Sequence, residues 1–279
     1  MAQEKSTDAA YQPAVALAFF KAAGKAEKVA AGTVLFKENE KARPLLFKRD
    51  RMYLLLEGEV ELSVRRKPIA AVKKGEIFGE MSSLTHAPRS ASAVAKTACR
   101  VIAVDDRQFE AGIAKKPAFA LMLMSMMIGR LRQTIARLSA AQALTGAQAL
   151  KEAAFFDPRR LADLAEGLGN DEPVFYEQGK PIVQEGQKGL RMYVVMEGRV
   201  LVSIGGNAVE RLGPGGVFGE LALLDQAPRM ASAFAETDCT LLPINRTGFL
   251  LLVKTSPDFA VSLLSALSTR LQSLTARLP

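Results

Sequence analysis

Short apolar runs closed by glycine alternate with polar turns along most of the chain, and the series is written twice. Met52-Tyr53-Leu54-Leu55-Leu56-Glu57-Gly58 returns as Met192-Tyr193-Val194-Val195-Met196-Glu197-Gly198. Aliphatic and β-branched runs of this length, bounded by glycine, read as antiparallel strands. Further strands are predicted at 68–72, 91–95 and 100–104, with copies 140 residues later. An earlier strand, Gly32–Glu38, has its partner at Gly179–Glu185, so the first half holds seven extra residues between Asn39 and Arg51. That stretch, Asn39 to Asp50, reads as a surface loop or a partner contact, the loop being the simpler.

A longer period appears outside these runs. Residues 9–30 are alanine-rich and carry Val15, Leu17, Phe19 and Phe20, which predicts a helix. From Pro117, a residue suited to a first helical turn, Leu121, Met124, Ile128, Leu131, Ile135 and Leu138 step by three and four. Leu264, Leu267, Leu271, Leu274 and Leu278 repeat that step. Such stripes are amphipathic and fit heptad spacing, so they serve either packing on the adjoining barrel or the seam of a homodimer. Methionines 122, 124, 126 and 127 exceed what one face needs and point to a soft, repackable surface. Residues 139–153 read as continued helix, and Phe155–Pro158 as the opening of another near 159–167.

Many short strands flanked by helices predict a mixed α+β, mainly β, chain: two jelly-roll β-rolls in tandem joined by a long hinge helix. The divisions expected are 1–30 (helical), 31–116 (first roll), 117–153 (hinge), 154–256 (second roll) and 257–279 (closing helix).

Composition narrows the class. A length of 279 residues suits about two domains. No apolar run reaches the roughly 18 residues of a membrane span, and Met1–Ala10 is polar with mixed charge, unlike a leader peptide. The two cysteines, Cys99 and Cys239, occupy equivalent repeat positions and read as buried thiols of a reducing compartment, hence the cytoplasm. Two cysteines do not make the usual four-ligand zinc site, and no metal is expected. The net charge of +8 is dispersed, with no Trp and four Tyr, so it reads as solvated faces rather than a nucleic-acid surface.

The repeat is sharpest from Gly75 to Ala93 and from Gly215 to Ala233. Each copy holds Phe-Gly-Glu, a segment long enough for about two helical turns, an Ala-Pro turn, and an Arg followed by small residues. Gly79 permits close backbone approach. Arg89 offers a planar, two-pronged donor suited to a phosphate. Glu80 is an acceptor only, so it suits a sugar hydroxyl rather than an anion. The unpaired N–H groups of a helix start lie between them. One acid, one cation and a helix end describe a compact nucleotide site.

These residues resemble the phosphate-binding cassette of the cyclic nucleotide-binding domain family, and the resemblance covers nearly the whole chain. It implies a β-roll with a helix before and after it. It implies that Glu80 and Glu220 bind the ribose 2′-OH and that Arg89 and Arg229 pair with the cyclic phosphate. Gly79, Met81, Ser82, Ser90 and Ala91, with Gly219, Leu221, Ala222, Met230 and Ala231, would complete the two cradles. Ser90 is compatible with cyclic GMP or cyclic AMP, and Met230 leans the second site towards cyclic AMP. Ile69, Val72, Val209 and Leu212 are candidate walls for the base, or core residues. Arg130 and Arg270 recur in register and are candidate lids, or exposed helix charges.

The implied protein is a non-enzymatic cyclic nucleotide receptor that acts on an unidentified protein partner through its hinge helices. His86, the one histidine, sits in the cassette loop and reads as an exposed residue rather than a catalyst. The helix-turn-helix of catabolite-activator-like members is not expected after the closing helix, nor the Arg-Arg segment of kinase regulatory subunits within Met1–Lys28. The alternative is a scaffold whose cassettes bind no mononucleotide, or bind a cyclic dinucleotide such as cyclic di-GMP.

Overall fold

The computed structural model describes residues 10–41, 50–85, 87–144, 150, 152–157 and 172–277. The chain divides into two compact units. The first runs to Met126 and includes Ser256–Ser268; the second holds Met127–Thr255 and the residues from Thr269.

In the first unit α1 (Pro13–Ala23) precedes β1 (Lys25–Val29), β2 (Val34–Phe36), β3 (Arg51–Glu57), β4 (Val60–Val64), β5 (Lys67–Val72) and β6 (Ile77–Phe78). Then come α2 (Glu80–Thr85), β7 (Ser92–Ala95), β8 (Cys99–Asp105), α3 (Asp106–Lys115) and the start of α4 (Pro117–Ala140). The strands form two sheets, ordered β1-β8-β3-β6 and β2-β7-β4-β5. Their inner faces enclose Phe36, Tyr53, Leu55, Val60, Val72, Phe78 and Cys99. Tyr53 stacks on Phe78 at 5.1 Å between ring centroids. A capping box starts α3: the Asp105 carboxylate accepts from Gln108 N at 2.8 Å, and Gln108 Oε1 accepts from Asp105 N at 2.9 Å. Phe19 of α1 stacks on Phe119 of α4 at 3.9 Å, and the Tyr11 hydroxyl donates to Gly75 O.

The second unit repeats the roll with β9 (Glu152–Ala153), β10 (Val174–Tyr176), β11 (Pro181–Val183), β12 (Arg191–Glu197), β13 (Val200–Ile204), β14 (Asn207–Leu212) and β15 (Val217–Phe218). There follow α5 (Glu220–Asp225), β16 (Ser232–Ala235), β17 (Cys239–Asn245), α6 (Arg246–Thr255) and α7 (Pro257–Thr275), whose last residues return to this unit. Its sheets are β10-β17-β12-β15 and β11-β16-β13-β14-β9. Tyr193 stacks on Phe218 at 5.2 Å, matching the first roll. Cys99 and Cys239 are free, buried thiols in separate cores.

Several expectations need correction. The helix expected over 9–30 ends at Ala23; Lys25–Val29 is a strand paired antiparallel with β8, from Lys25 opposite Ala103 to Val29 opposite Cys99. Its polar sequence hid it, because one face of this edge strand is solvated. The helix expected to continue through 139–153 stops at Ala140. Gln142 turns the chain at φ +51°, and Glu152–Ala153 adds to the sheet parallel to β14. Phe155 and Phe156 are irregular and donate backbone N–H groups to Gly215 O at 3.0 and 3.1 Å. The helix expected near 159–167, His86, and most of the Asn39–Asp50 insertion lie outside the described residues. The helical stripes are buried within the chain: Met122, Met124, Met126 and Met127 are at most 6% exposed, and Leu264, Leu267, Leu271 and Leu274 at most 8%. They leave no open homodimer seam or soft methionine surface among the described residues. No single helix among those residues is long and apolar enough to cross a membrane.

Candidate functional site

Each cassette begins where a two-residue strand runs into a glycine. Gly79 takes φ +75° and Gly219 φ +84°, a left-handed conformation that lets the chain turn at once into α2 or α5. A β-carbon at these positions would fall 3.0 Å from Arg89 Nη1 and 2.5 Å from Arg229 Nη1. The glycine is thus required by backbone angle and by the guanidinium packed against it. Arg89 Nη1 donates to Gly79 O at 2.9 Å and its Nη2 to Arg51 O at 2.8 Å. Arg229 repeats both contacts, to Gly219 O and Arg191 O, each at 2.6 Å. Two carbonyls therefore hold each arginine beside the start of the short helix, with Glu80 and Glu220 buried at 7% and 2% exposure.

The two copies differ around the arginine. Arg89 pairs with Asp50 Oδ1 at 3.3 Å, both side chains 6% exposed, and lies 4.2 Å over the Phe36 ring. Burial pulls its guanidinium below the ordinary arginine range, and Asp50 works against that shift. At the position equivalent to Asp50 the second copy has Leu190, which is 81% exposed. Burial likewise lowers the Arg229 guanidinium, opposed by Tyr193 and Glu220. The Ser82 hydroxyl is buried without a hydrogen bond among the described residues; the second copy has Ala222 there.

The second cassette opens on a cavity of about 640 Å³, within the range of roughly 300–1,000 Å³ usual for small-molecule sites. Gly219, Glu220, Leu221, Ala222, Arg229, Met230 and Ala231 all line it, so all seven residues singled out in that copy share one surface. Apolar walls come from Val183, Val202, Ile204 and Val209 of the roll, with Leu131 and Ile135 of α4 and Leu274 of α7.

Arg270 enters this cavity from α7. Its Nε donates to Glu210 Oε2 at 2.8 Å, its Nη1 to Glu220 Oε1 at 2.7 Å, and its Nη2 to Val217 O. The guanidinium also lies 5.5 Å from the Phe155 ring centroid. Burial disfavours its charge, but Glu210 and Glu220 outweigh burial and hold it above its ordinary value. One cation thus bridges two carboxyl groups in a largely apolar chamber, where burial pushes the Glu210 carboxyl above its ordinary range against the pull of Arg270.

The model of the cyclic nucleotide-binding domain matches residues 26–116 and again 173–256. The chain belongs to the cyclic nucleotide-binding domain family. It is 29% identical over 201 residues to the cAMP-dependent protein kinase regulatory subunit of Eremothecium gossypii, covering 72% of this chain and 39% of that protein. It is 40% identical over 102 residues to the cyclic AMP receptor protein of Thermus thermophilus, covering 35% of this chain and 47% of that protein. The chain therefore spans less than half the length of either relative. Among solved structures, the regulatory domain of Toxoplasma gondii PKA with cAMP aligns over 85% of this chain and 84% of that one, at 24% identity and TM-score 0.31.

Within these two cyclic nucleotide-binding domains the remaining candidates separate. In the first cassette Glu80, Ser82 and Arg89 are buried, Gly79, Met81 and Ala91 are half-buried, and Ser90 is exposed. Val72 and Leu212 are fully buried members of the two roll cores. Ile69 is 42% exposed, and its equivalent Val209 lines the second cavity. Arg270 is a pocket residue rather than an exposed helix charge; Arg130 is half-buried on α4 and is not part of the second cavity wall. Glu210 is not singled out in the sequence, and Phe155, Leu131 and Ile135 read there as helix residues rather than as pocket lining. Glu210 left one usable trace: Ala70 stands at the equivalent place, so a charge enters a position that is apolar in the first copy.

Proposed function

We propose that this chain is a non-enzymatic receptor for a cyclic mononucleotide, cyclic AMP in the second pocket and cyclic AMP or cyclic GMP in the first, which regulates a protein partner. The observation that carries this reading is the doubled cassette: an arginine held by two backbone carbonyls beside a buried glutamate, in both copies. In this reading Arg89 and Arg229 take the cyclic phosphate, and Glu80 and Glu220 take the ribose hydroxyl. Phosphate oxygens would replace the carbonyls as acceptors, which moves the cassette relative to its roll. The ligand drives that movement only by binding the moved form more tightly.

One observation favours a second reading for the second copy. Glu220 is already engaged by Arg270, so a ribose hydroxyl must share or displace that contact. If Arg270 does not yield, the second cassette is a folded, self-filled module and the protein acts as a scaffold. Calorimetry with cyclic AMP, cyclic GMP and cyclic di-GMP tests both readings. Binding of a mononucleotide that is reduced in Arg229→Ala and disappears only when Arg89→Ala is added supports the receptor; binding of cyclic di-GMP alone, or of none, supports the alternative.

A further inference from the structure

We propose that Arg132, on the helix that follows the first roll, is a positioning residue of the second pocket: it clasps the turn of the second cassette and holds Leu131 and Ile135 in that pocket's wall. This rests on reading the second pocket as a nucleotide site. The residues of α4 from Met127 onward belong to the second unit. Arg132 Nη2 donates to Asp225 Oδ1 at 2.9 Å and its Nε to Asp225 Oδ2, a two-pronged pair. Its Nη1 and Nη2 also reach Pro228 O at 3.2 and 3.3 Å.

These partners are placed to matter. Asp225 ends α5, and its Oδ1 also accepts from Ala227 N at 3.0 Å, bracing the turn. Pro228 is bonded directly to Arg229, so its carbonyl moves with the phosphate-binding candidate. Leu131, adjacent to Arg132, and Ile135 line the cavity and are 1% and 7% exposed. The pair lies near the surface, with Asp225 exposed, so its two-pronged geometry rather than burial is what sets it above an ordinary surface pair. The first cassette has no such device in sequence: Thr85 and Gln272 occupy the equivalent positions, and neither carries a charge. In sequence, the charged pair is therefore confined to the second copy. Any ligand that shifts this cassette must load or release Arg132, and by linkage the state of the clasp changes affinity for the ligand equally.

The test is a charge-swap cycle in the full chain carrying Arg89→Ala, which leaves the second site alone to bind. Arg132→Asp and Asp225→Arg should each weaken cyclic AMP binding by about fivefold or more, and the two together should recover most of the loss. Hydrogen exchange over residues 127–140 should rise in each single variant and fall back in the double one. Binding that ignores the single swaps, or a double variant no better than the worse single one, would overturn this proposal alone. No cyclic AMP binding by the Arg89→Ala parent would overturn the nucleotide reading and the proposal with it.

Discussion

Arg270 and Glu220 meet inside the second pocket, Nη1 to Oε1 at 2.7 Å, while the same guanidinium holds Glu210 at 2.8 Å. Removing that cation leaves two carboxylates together in a shielded chamber. Arg270→Ala should lower folding stability by about 3 kcal/mol, the scale for deleting one partner of a buried pair. It should also raise hydrogen exchange over 269–275. Urea unfolding of the variant checks the first; a loss below about 0.5 kcal/mol, as for a surface pair, would show that the three charges do not act as a unit.

Arg89 depends on Asp50 in a way that Arg229 cannot depend on Leu190. Asp50→Ala strands a buried guanidinium, and the unliganded chain should lose about 2 kcal/mol of stability or more. A bound phosphodiester would replace the missing anion. The rise in Tm on saturation with cyclic AMP should therefore be larger in Asp50→Ala than in the wild type. An equal or smaller rise would place the phosphate somewhere other than beside Arg89.

Much of the cassette was legible because it is local and written twice. Gly79, Glu80 and Arg89 fall within eleven residues, and their copies stand at a constant offset, so turn chemistry and spacing identify them without a fold. The short edge strand Lys25–Val29 was not legible. It carries charge at Lys25, Glu27 and Lys28, lies one residue beyond α1, and becomes a strand only because β8 offers a free edge. The role of Arg270 was half legible: its register with Arg130 marked it, but only tertiary packing brings Glu210 and Glu220 to the same guanidinium. Arg132 and Asp225 are 93 residues apart and have no charged counterparts in the other copy, so no periodicity could join them.

A pH dependence follows from Glu236, whose carboxyl is held below its ordinary range by hydrogen bonds from Arg211, Nε to Oε2 at 2.7 Å and Nη2 to Oε1 at 2.6 Å. A carboxyl depressed in the folded state adds stability that is complete above the ordinary glutamate value and is lost as pH falls through the folded-state value. The stability difference between wild type and Arg211→Met should thus be present at neutral pH and shrink towards zero in acid. Denaturant unfolding across that range checks it; a difference that stays constant with pH would assign Arg211 a packing role instead.

The central claim is that each cassette arginine holds one cyclic nucleotide, and the stoichiometry of cyclic AMP binding by calorimetry tests it most directly. The account predicts about two molecules bound per wild-type chain, one in Arg89→Ala, one in Arg229→Ala and none in the double variant, with every chain still cooperatively folded. A wild-type chain that binds none, or a double variant that binds as the wild type does, would contradict it.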